Sequence, residues 1–274
     1  MKKKLGSPAF VAALILTLVN PNGYGSNEIE NAKLTHSNQH IMLPVKNRKA
    51  FIQYMVTTHK LKRKTITQII DSIKIRHSAE HHINHPAENQ TWEQYEKQFV
   101  TPYRINEGIQ FYQEHIKTLQ KEESKFHVDP YTIVAILGVE TNYGVNTGGY
   151  RVLDALGTLA FSTKNKDRTY FFQDQLKDFI ILAENKKAFD VYKTKGSYAG
   201  AIGIPQFMPS SYIAYSIRFK QDNHTSNLFN KDDAIMSVAN YLNKHGWVHK
   251  EFIERKLTQK ELANLKTNEK SPKN

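Results

Sequence analysis

Glu140 closes an apolar run, AILGVE, inside the stretch DPYTIVAILGVETNYG. Ile133, Ile136, Leu137 and Glu140 fall on one face if this stretch is helical, because side chains three, four and seven residues apart line up along a helix. A carboxyl group on such a face is held against aliphatic groups. That disfavours its charged form and raises its pKa. A carboxylic acid still protonated near neutral pH can donate a proton to a glycosidic oxygen, the task of a general acid. The competing reading places Glu140 at the helix end with its side chain turned into water, and spacing alone does not separate the two.

A second stretch, GSYAGAIGIPQFMPSSY, mixes glycine, hydroxyls, one amide and aromatic rings. Gly196, Gly200 and Gly203 carry no side chain, so another group can approach the backbone closely. Ser197 and Gln206 supply hydrogen bonds. Tyr198, Phe207 and Tyr212 supply flat faces, and Tyr143 adds one beside Glu140. Rings with amide and hydroxyl groups suit a sugar, which presents both C–H patches and hydroxyls. The alternative is a tight turn between helices with its aromatics in the core. His77, His81, His82 and His85 carry the helical spacing of a metal pair, but no carboxylate partner accompanies them. A solvated polar loop is the expectation for that segment, and no metal site is assigned.

The elements that must position these residues read as helices. AFIQYMVTTHKL and TITQIIDSIKI each show a helical apolar face, and RINEGIQFYQEHIKTLQKEESKFH reads as one long amphipathic helix. Asp129 and Pro130 form a helix start ahead of Glu140, and Gly144 marks its end. Further helices are expected over 151–161, 168–185 and 231–245. The only strand signal is a short hairpin within 185–198.

The chain has 274 residues, 39% of them apolar and 23% charged, the balance of a globular protein with a full core. It has no cysteine, which excludes a disulfide framework, a thiolate nucleophile and a lipid-attachment cysteine. Lys2, Lys3 and Lys4 precede PAFVAALILTLV, the pattern of a secretory signal peptide with cleavage expected near Gly23 to Ser26. An uncleaved N-terminal anchor is the alternative. The expected division is a signal peptide at 1–25, a flexible lead at 26–46, an N-terminal helical subdomain at 47–125, a catalytic core at 126–248 and a basic tail at 249–274. The net charge of +12, carried mostly by lysine, suits an anionic polymer outside the cytoplasm better than nucleic acid, although lysines also serve solubility alone.

Together, AILGVETNYG, RVLDALGTLAF, GSYAGAIGIPQFMPSSY and DAIMSVANYLNKHGW resemble the B-type lytic murein transglycosylases, with WEQYEKQFVTP as a further match. The resemblance runs from about residue 48 to 248 with the motifs in family order. It implies a mainly α-helical protein with minor β structure: a lysozyme-like catalytic core and an additional N-terminal helical subdomain. It also implies non-hydrolytic cleavage of the bond between N-acetylmuramic acid and N-acetylglucosamine in peptidoglycan, leaving 1,6-anhydromuramyl ends. By that resemblance Glu140 is the single acid and base, Ser197 and Gln206 line the site, and Tyr95, Arg168 and Tyr241 line the glycan groove. Ordinary glycosidases need two carboxyls, roughly 5 to 10 Å apart. Asp154 is the obvious second, but Arg151 three residues away suggests a structural ion pair. The implied protein is a soluble periplasmic monomer that acts on peptidoglycan glycan strands, alongside other cell-wall enzymes, without nucleic acid and without a cofactor. A catalytically impaired wall-binding protein and a lysozyme-type hydrolase stay as alternatives.

Two features depart from the family pattern. Its members often carry an EF-hand-like calcium loop where this chain reads RFKQDNHTSNLFNKDD. Asp222, Asn223, Asn227, Asp232 and Asp233 offer oxygens, but the register is wrong, no glycine is present and Arg218 replaces a leading acid. Calcium is therefore not expected. The family chain also continues past the HGW match with further groove residues, whereas here a lysine-rich segment follows, so that groove wall is expected to be missing.

Overall fold

The structure is a computed structural model; it describes residues 43–84, 92–162, 166–220, 222 and 224–249. The segment read as a signal peptide, His85, and the basic tail beyond His249 lie outside the described residues. Eleven described helices run α1 Arg48–His59, α2 Arg63–Asp71, α3 His77–Asn84, α4 Trp92–Phe99, α5 Pro102–Glu114, α6 Ile116–Phe126, α7 Pro130–Thr141, α8 Val152–Ser162, α9 Lys166–Glu184, α10 Pro209–Tyr215 and α11 Lys231–Lys244. Two two-residue strands, β1 Tyr150–Arg151 and β2 Lys195–Gly196, form an antiparallel pair.

Side chains that satisfy the free N–H groups of a first turn mark several helix starts. Asn47 accepts from the Ala50 N–H at 3.0 Å, Thr101 from Arg104 at 3.2 Å and Asn230 from Asp233 at 3.1 Å. Proline opens α5, α7 and α10, where its missing N–H costs nothing. On α2, Ile66, Ile69 and Ile70 share one face and are fully buried. α8 is buried all round from Val152 to Ala160 and forms the centre of the molecule. α9 and α3 lie against α8, α10 lies against α9, and α11 rests on α6 and α7. One continuous apolar cluster runs from Leu43 to Leu242. Each fully buried large aliphatic or aromatic side chain in it contributes about 1.5–3 kcal/mol.

Four expectations change. The residues from His77 to Asn84 are helical, not a polar loop, because Ala79 is buried and anchors that turn beside α8. The long helix expected through residue 127 breaks at His115 (φ −112°, ψ 18°). There the His115 ring meets Asp232 at 2.9 Å, and the Thr118 hydroxyl donates to the same carboxylate at 2.7 Å, so a tertiary contact sets the bend. No hairpin forms within 185–198; β2 pairs instead with β1, far away in sequence. The last residues of the segment read as a flexible lead are packed. Leu43 and Val45 are buried, and the Val45 N–H donates to Gln173 Oε1 at 2.7 Å.

Candidate active site

α7 delivers Glu140. Asp129 accepts from the N–H groups of Tyr131 and Thr132 at 2.8 and 3.3 Å, fixing where the helix begins and which residues face inward. Ile133, Leu137 and Glu140 all point into the protein, and Glu140 is 1% exposed. The apolar stripe therefore carries the carboxyl inward and not out to water. Neither carboxylate oxygen has a hydrogen-bond partner within the protein. Burial alone pushes the Glu140 carboxyl well above the ordinary value of 4.5.

The helix stops one residue later, at Thr141. Asn142, Tyr143 and Gly144 all take positive φ, at 51°, 58° and 95°. The N–H groups of Asn142 and Tyr143 return to the carbonyls of Gly138 and Leu137, both at 3.1 Å. Thr141 ties this end to the glycine-rich stretch: its hydroxyl donates to the Ile204 carbonyl at 2.9 Å and accepts from the Gly144 N–H at 3.0 Å.

The glycine-rich stretch is two successive tight turns. The Ser197 N–H donates to the Ala201 carbonyl at 3.0 Å. The N–H groups of Ile202 and Phe207 exchange bonds with each other's carbonyls at 2.8 and 3.1 Å. Gly196 and Gly148 have no alternative at their positions, since a Cβ at either would lie 2.1 Å from a backbone carbonyl oxygen. Gln206 is left-handed (φ 52°). Its Nε2 donates to the Gly203 and Thr147 carbonyls at 2.7 and 3.2 Å, while its buried Oε1 has no partner in the protein.

The other residues singled out from the sequence fall in different places. Ser197 is buried, and its hydroxyl oxygen accepts from the N–H groups of Ala199 and Ala201 at 3.3 and 3.0 Å, so it holds the first turn. Tyr241 on α11 packs at a tilt on Phe207, the residue after Gln206, with ring centroids 5.6 Å apart, and His245 is stacked on it at 3.9 Å. Tyr198 is buried between His82 at 5.0 Å and Tyr150 at 6.4 Å. Tyr143 is not the exposed face expected beside the glutamate. The left-handed turn sends its ring back between α5 and α7, where Gly108 and Gly138 leave room and its hydroxyl donates to the Arg104 carbonyl at 3.1 Å. Arg168 is exposed in the first turn of α9, and Tyr95 lies on α4 with its side chain outside the described residues. Sequence reasoning missed Thr141 and the Thr147 carbonyl, and it read His82 as part of a solvated loop and not as a neighbour of Tyr198. Their roles arise from contacts across the fold and leave no spacing signal.

Asp154 offers no second free carboxyl. It is fully buried, but Arg151 and Arg76 both reach it and the Lys74 N–H donates to it at 2.9 Å. Burial raises its pKa, and the bonds from Arg151, Lys74 and Arg76 outweigh that, leaving it below the usual carboxylate value. Among the described residues, Glu122 on α6 is also a buried carboxylate without a protein partner, pushed up to about 9 by burial first and then by Glu123 and Asp129. Its helix lies against α11 and α7, and no described hydrogen bond ties its neighbours in the chain to the glycine-rich turns as Thr141 ties those of Glu140.

A mainly helical, lysozyme-like frame with one unpartnered glutamate beside a glycine-rich double turn defines the class. The chain matches the transglycosylase SLT domain over residues 45–274, and it belongs to that family. It is 37% identical over 212 residues to the membrane-bound lytic murein transglycosylase B of Escherichia coli K12, a match covering 74% of this chain and 58% of that relative. The chain thus spans less than two thirds of that relative's length. A crystal structure of the soluble lytic transglycosylase SltB1 from Pseudomonas aeruginosa superposes with a TM-score of 0.71 and 38% identity, over 75% of this chain and 68% of that one. SltB3 from the same organism, in complex with NAG-NAM-pentapeptide, matches with a TM-score of 0.67 and 26% identity, over 74% of this chain and 54% of that one.

Proposed function

We propose that this chain is a peptidoglycan lytic transglycosylase with Glu140 as its only acid and base. One observation carries the reading: a fully buried glutamate with no partner for either oxygen sits beside the turn that holds the unpartnered Gln206 Oε1. A native protein seldom leaves buried polar atoms unpaired unless water, an ion or a ligand completes them. A protonated Glu140 can donate, and Gln206 can accept from a sugar hydroxyl or acetamido N–H.

Glu140, held neutral by burial, protonates the oxygen of the leaving sugar as the muramyl C1–O bond breaks. The carboxylate so formed takes the proton from the C6 hydroxyl of the same muramyl residue. That oxygen closes on C1 and gives the 1,6-anhydro product. The intramolecular hydroxyl has a high effective concentration, so no second carboxylate is needed to activate water. The commitment of Asp154 to its arginines fits a one-carboxylate scheme. The likeness to murein transglycosylase B and to a structure holding a NAG-NAM-pentapeptide supports peptidoglycan glycan strands as substrate. The lysine-led apolar run at the start of the chain supports action outside the cytoplasm, and no described helix is long and apolar enough to cross a membrane.

The test is mass spectrometry of muropeptides released from purified peptidoglycan by the parent chain and by Glu140→Gln. Anhydromuramyl products from the parent and none from the variant are expected. Reducing-end products would make it a hydrolase. Retained sedimentation with peptidoglycan and no release would make it a binding protein.

A further inference from the structure

The family resemblance implies a calcium loop between α10 and α11, and the residues present do not fit one. Calcium requires six to eight oxygen ligands free to converge on the ion. The three acids here are already occupied: Asp232 meets the His115 ring at 2.9 Å and accepts from the Thr118 hydroxyl at 2.7 Å. Asp222 takes both ends of the Arg218 guanidinium fork: Nε reaches Oδ1, and NH2 reaches Oδ2 at 2.8 Å. The His224 N–H also donates to Asp222 Oδ1 at 3.1 Å. Asp233 is buried and accepts from the Phe219 N–H at 2.8 Å, the Asn227 N–H at 2.7 Å and Arg218 NH1 at 3.5 Å. Among the described residues, no group of three or more acids or histidines is placed to hold a metal.

We propose that the Arg218 guanidinium is the resident cation of this loop, holding Asp222 and Asp233 together without metal. A guanidinium suits the task, because it is always charged and its planar fork matches a carboxylate. It joins the start of the loop at Arg218 to Asp222 and to Asp233 at the first turn of α11. A positive charge already at the centre also repels a second cation. The hydrogen bond from Arg218 pulls the Asp222 carboxyl down to about 2, so the pair stays ionised through the working pH range.

The loop matters to the rest of the molecule. The Ile204 N–H in the double turn donates to the Leu228 carbonyl at 2.8 Å, and the buried Tyr212 hydroxyl donates to the Ser226 carbonyl at 2.6 Å. The guanidinium clamp therefore backs the wall against which the glycine-rich stretch rests. This inference concerns the loop alone and stands whether or not the chain cleaves peptidoglycan.

The test is thermal unfolding of the full chain and of Arg218→Ala, each in EDTA and in millimolar calcium chloride. The parent should melt at the same temperature in both media. Arg218→Ala should melt about 2–4 °C lower in both. Calcium held a thousandfold above its dissociation constant would raise a midpoint by roughly 8–16 °C. A rise of that kind in the parent overturns the proposal, and this arm decides even if the variant is poorly expressed. An Arg218→Ala midpoint equal to the parent's overturns it as well.

Discussion

Glu140 and Asp154 are buried equally well and behave oppositely. Both sit on helices of the central core, at 1% and 0% exposure. Two guanidinium groups and a backbone N–H hold Asp154 charged. No group of the protein hydrogen-bonds the oxygens of Glu140, and burial raises its pKa well above the ordinary 4.5. Depth therefore does not distinguish a charge-paired carboxylate from an unpartnered one; the partners do. Glu122 sharpens the contrast, since it shares the raised pKa and missing partners of Glu140. What sets Glu140 apart is that its neighbour Thr141 is tied to the turn that holds the unpartnered Gln206 Oε1.

Substitution at the two acids should separate these roles, with the largest effect at Glu140. Glu140→Gln should lower turnover on peptidoglycan by about 10²–10⁴, the usual worth of a general acid, with an unchanged or higher melting temperature. Asp154→Ala should do the reverse in kind. Removing one partner of a buried pair strands the other, and we expect a loss of about 3 kcal/mol of stability by denaturant titration. A Glu140 variant that unfolds, or an Asp154 variant that is stable but inactive, would exchange the two assignments.

Gly148→Ala comes next. A Cβ there lies 2.1 Å from the Gly196 carbonyl oxygen at a φ of 99°, so the backbone must move. A stability loss of about 2 kcal/mol is expected, together with reduced activity, because the same backbone offers the Thr147 carbonyl to Gln206.

The smallest effect belongs to Glu122. Its folded pKa of about 9 lies above the ordinary 4.5, so the native state keeps a proton that the unfolded chain releases. Its stabilisation is complete below pH 4.5, declines as the pH rises and is gone by about 9. Glu122→Gln should flatten that decline, with a gain of about 1–2 kcal/mol at pH 8 that shrinks towards pH 5. Asp154 has the opposite sign. Its lowered pKa contributes stability above the ordinary 3.8 that is lost as the pH falls through the folded value.

Much of this site could be read from local pattern. The start of α7 at Asp129 and Pro130 and its apolar face follow from spacing within one helix, whereas spacing left the direction of Glu140 open between the interior and water. The Arg151–Asp154 pair was legible for the same reason. Arg76 was not, because it arrives from just before α3. The strand pairing of Tyr150 with Gly196 was misplaced as a local hairpin because both strands are two residues long and carry no alternation. Tyr143 was misread because three successive positive φ values reverse the chain and bury a ring that helical spacing would have left beside Glu140. The bend at His115 depends on Asp232, which no local pattern near His115 reveals.

The central claim is that burial without a partner keeps Glu140 protonated at the pH where it must act as an acid. Carbon NMR of the side-chain carboxyls in glutamate-labelled protein measures this directly, with Glu140→Gln to assign the signal. The account predicts a Glu140 carboxyl that stays protonated through neutral pH. Titration near the ordinary 4.5 would contradict it.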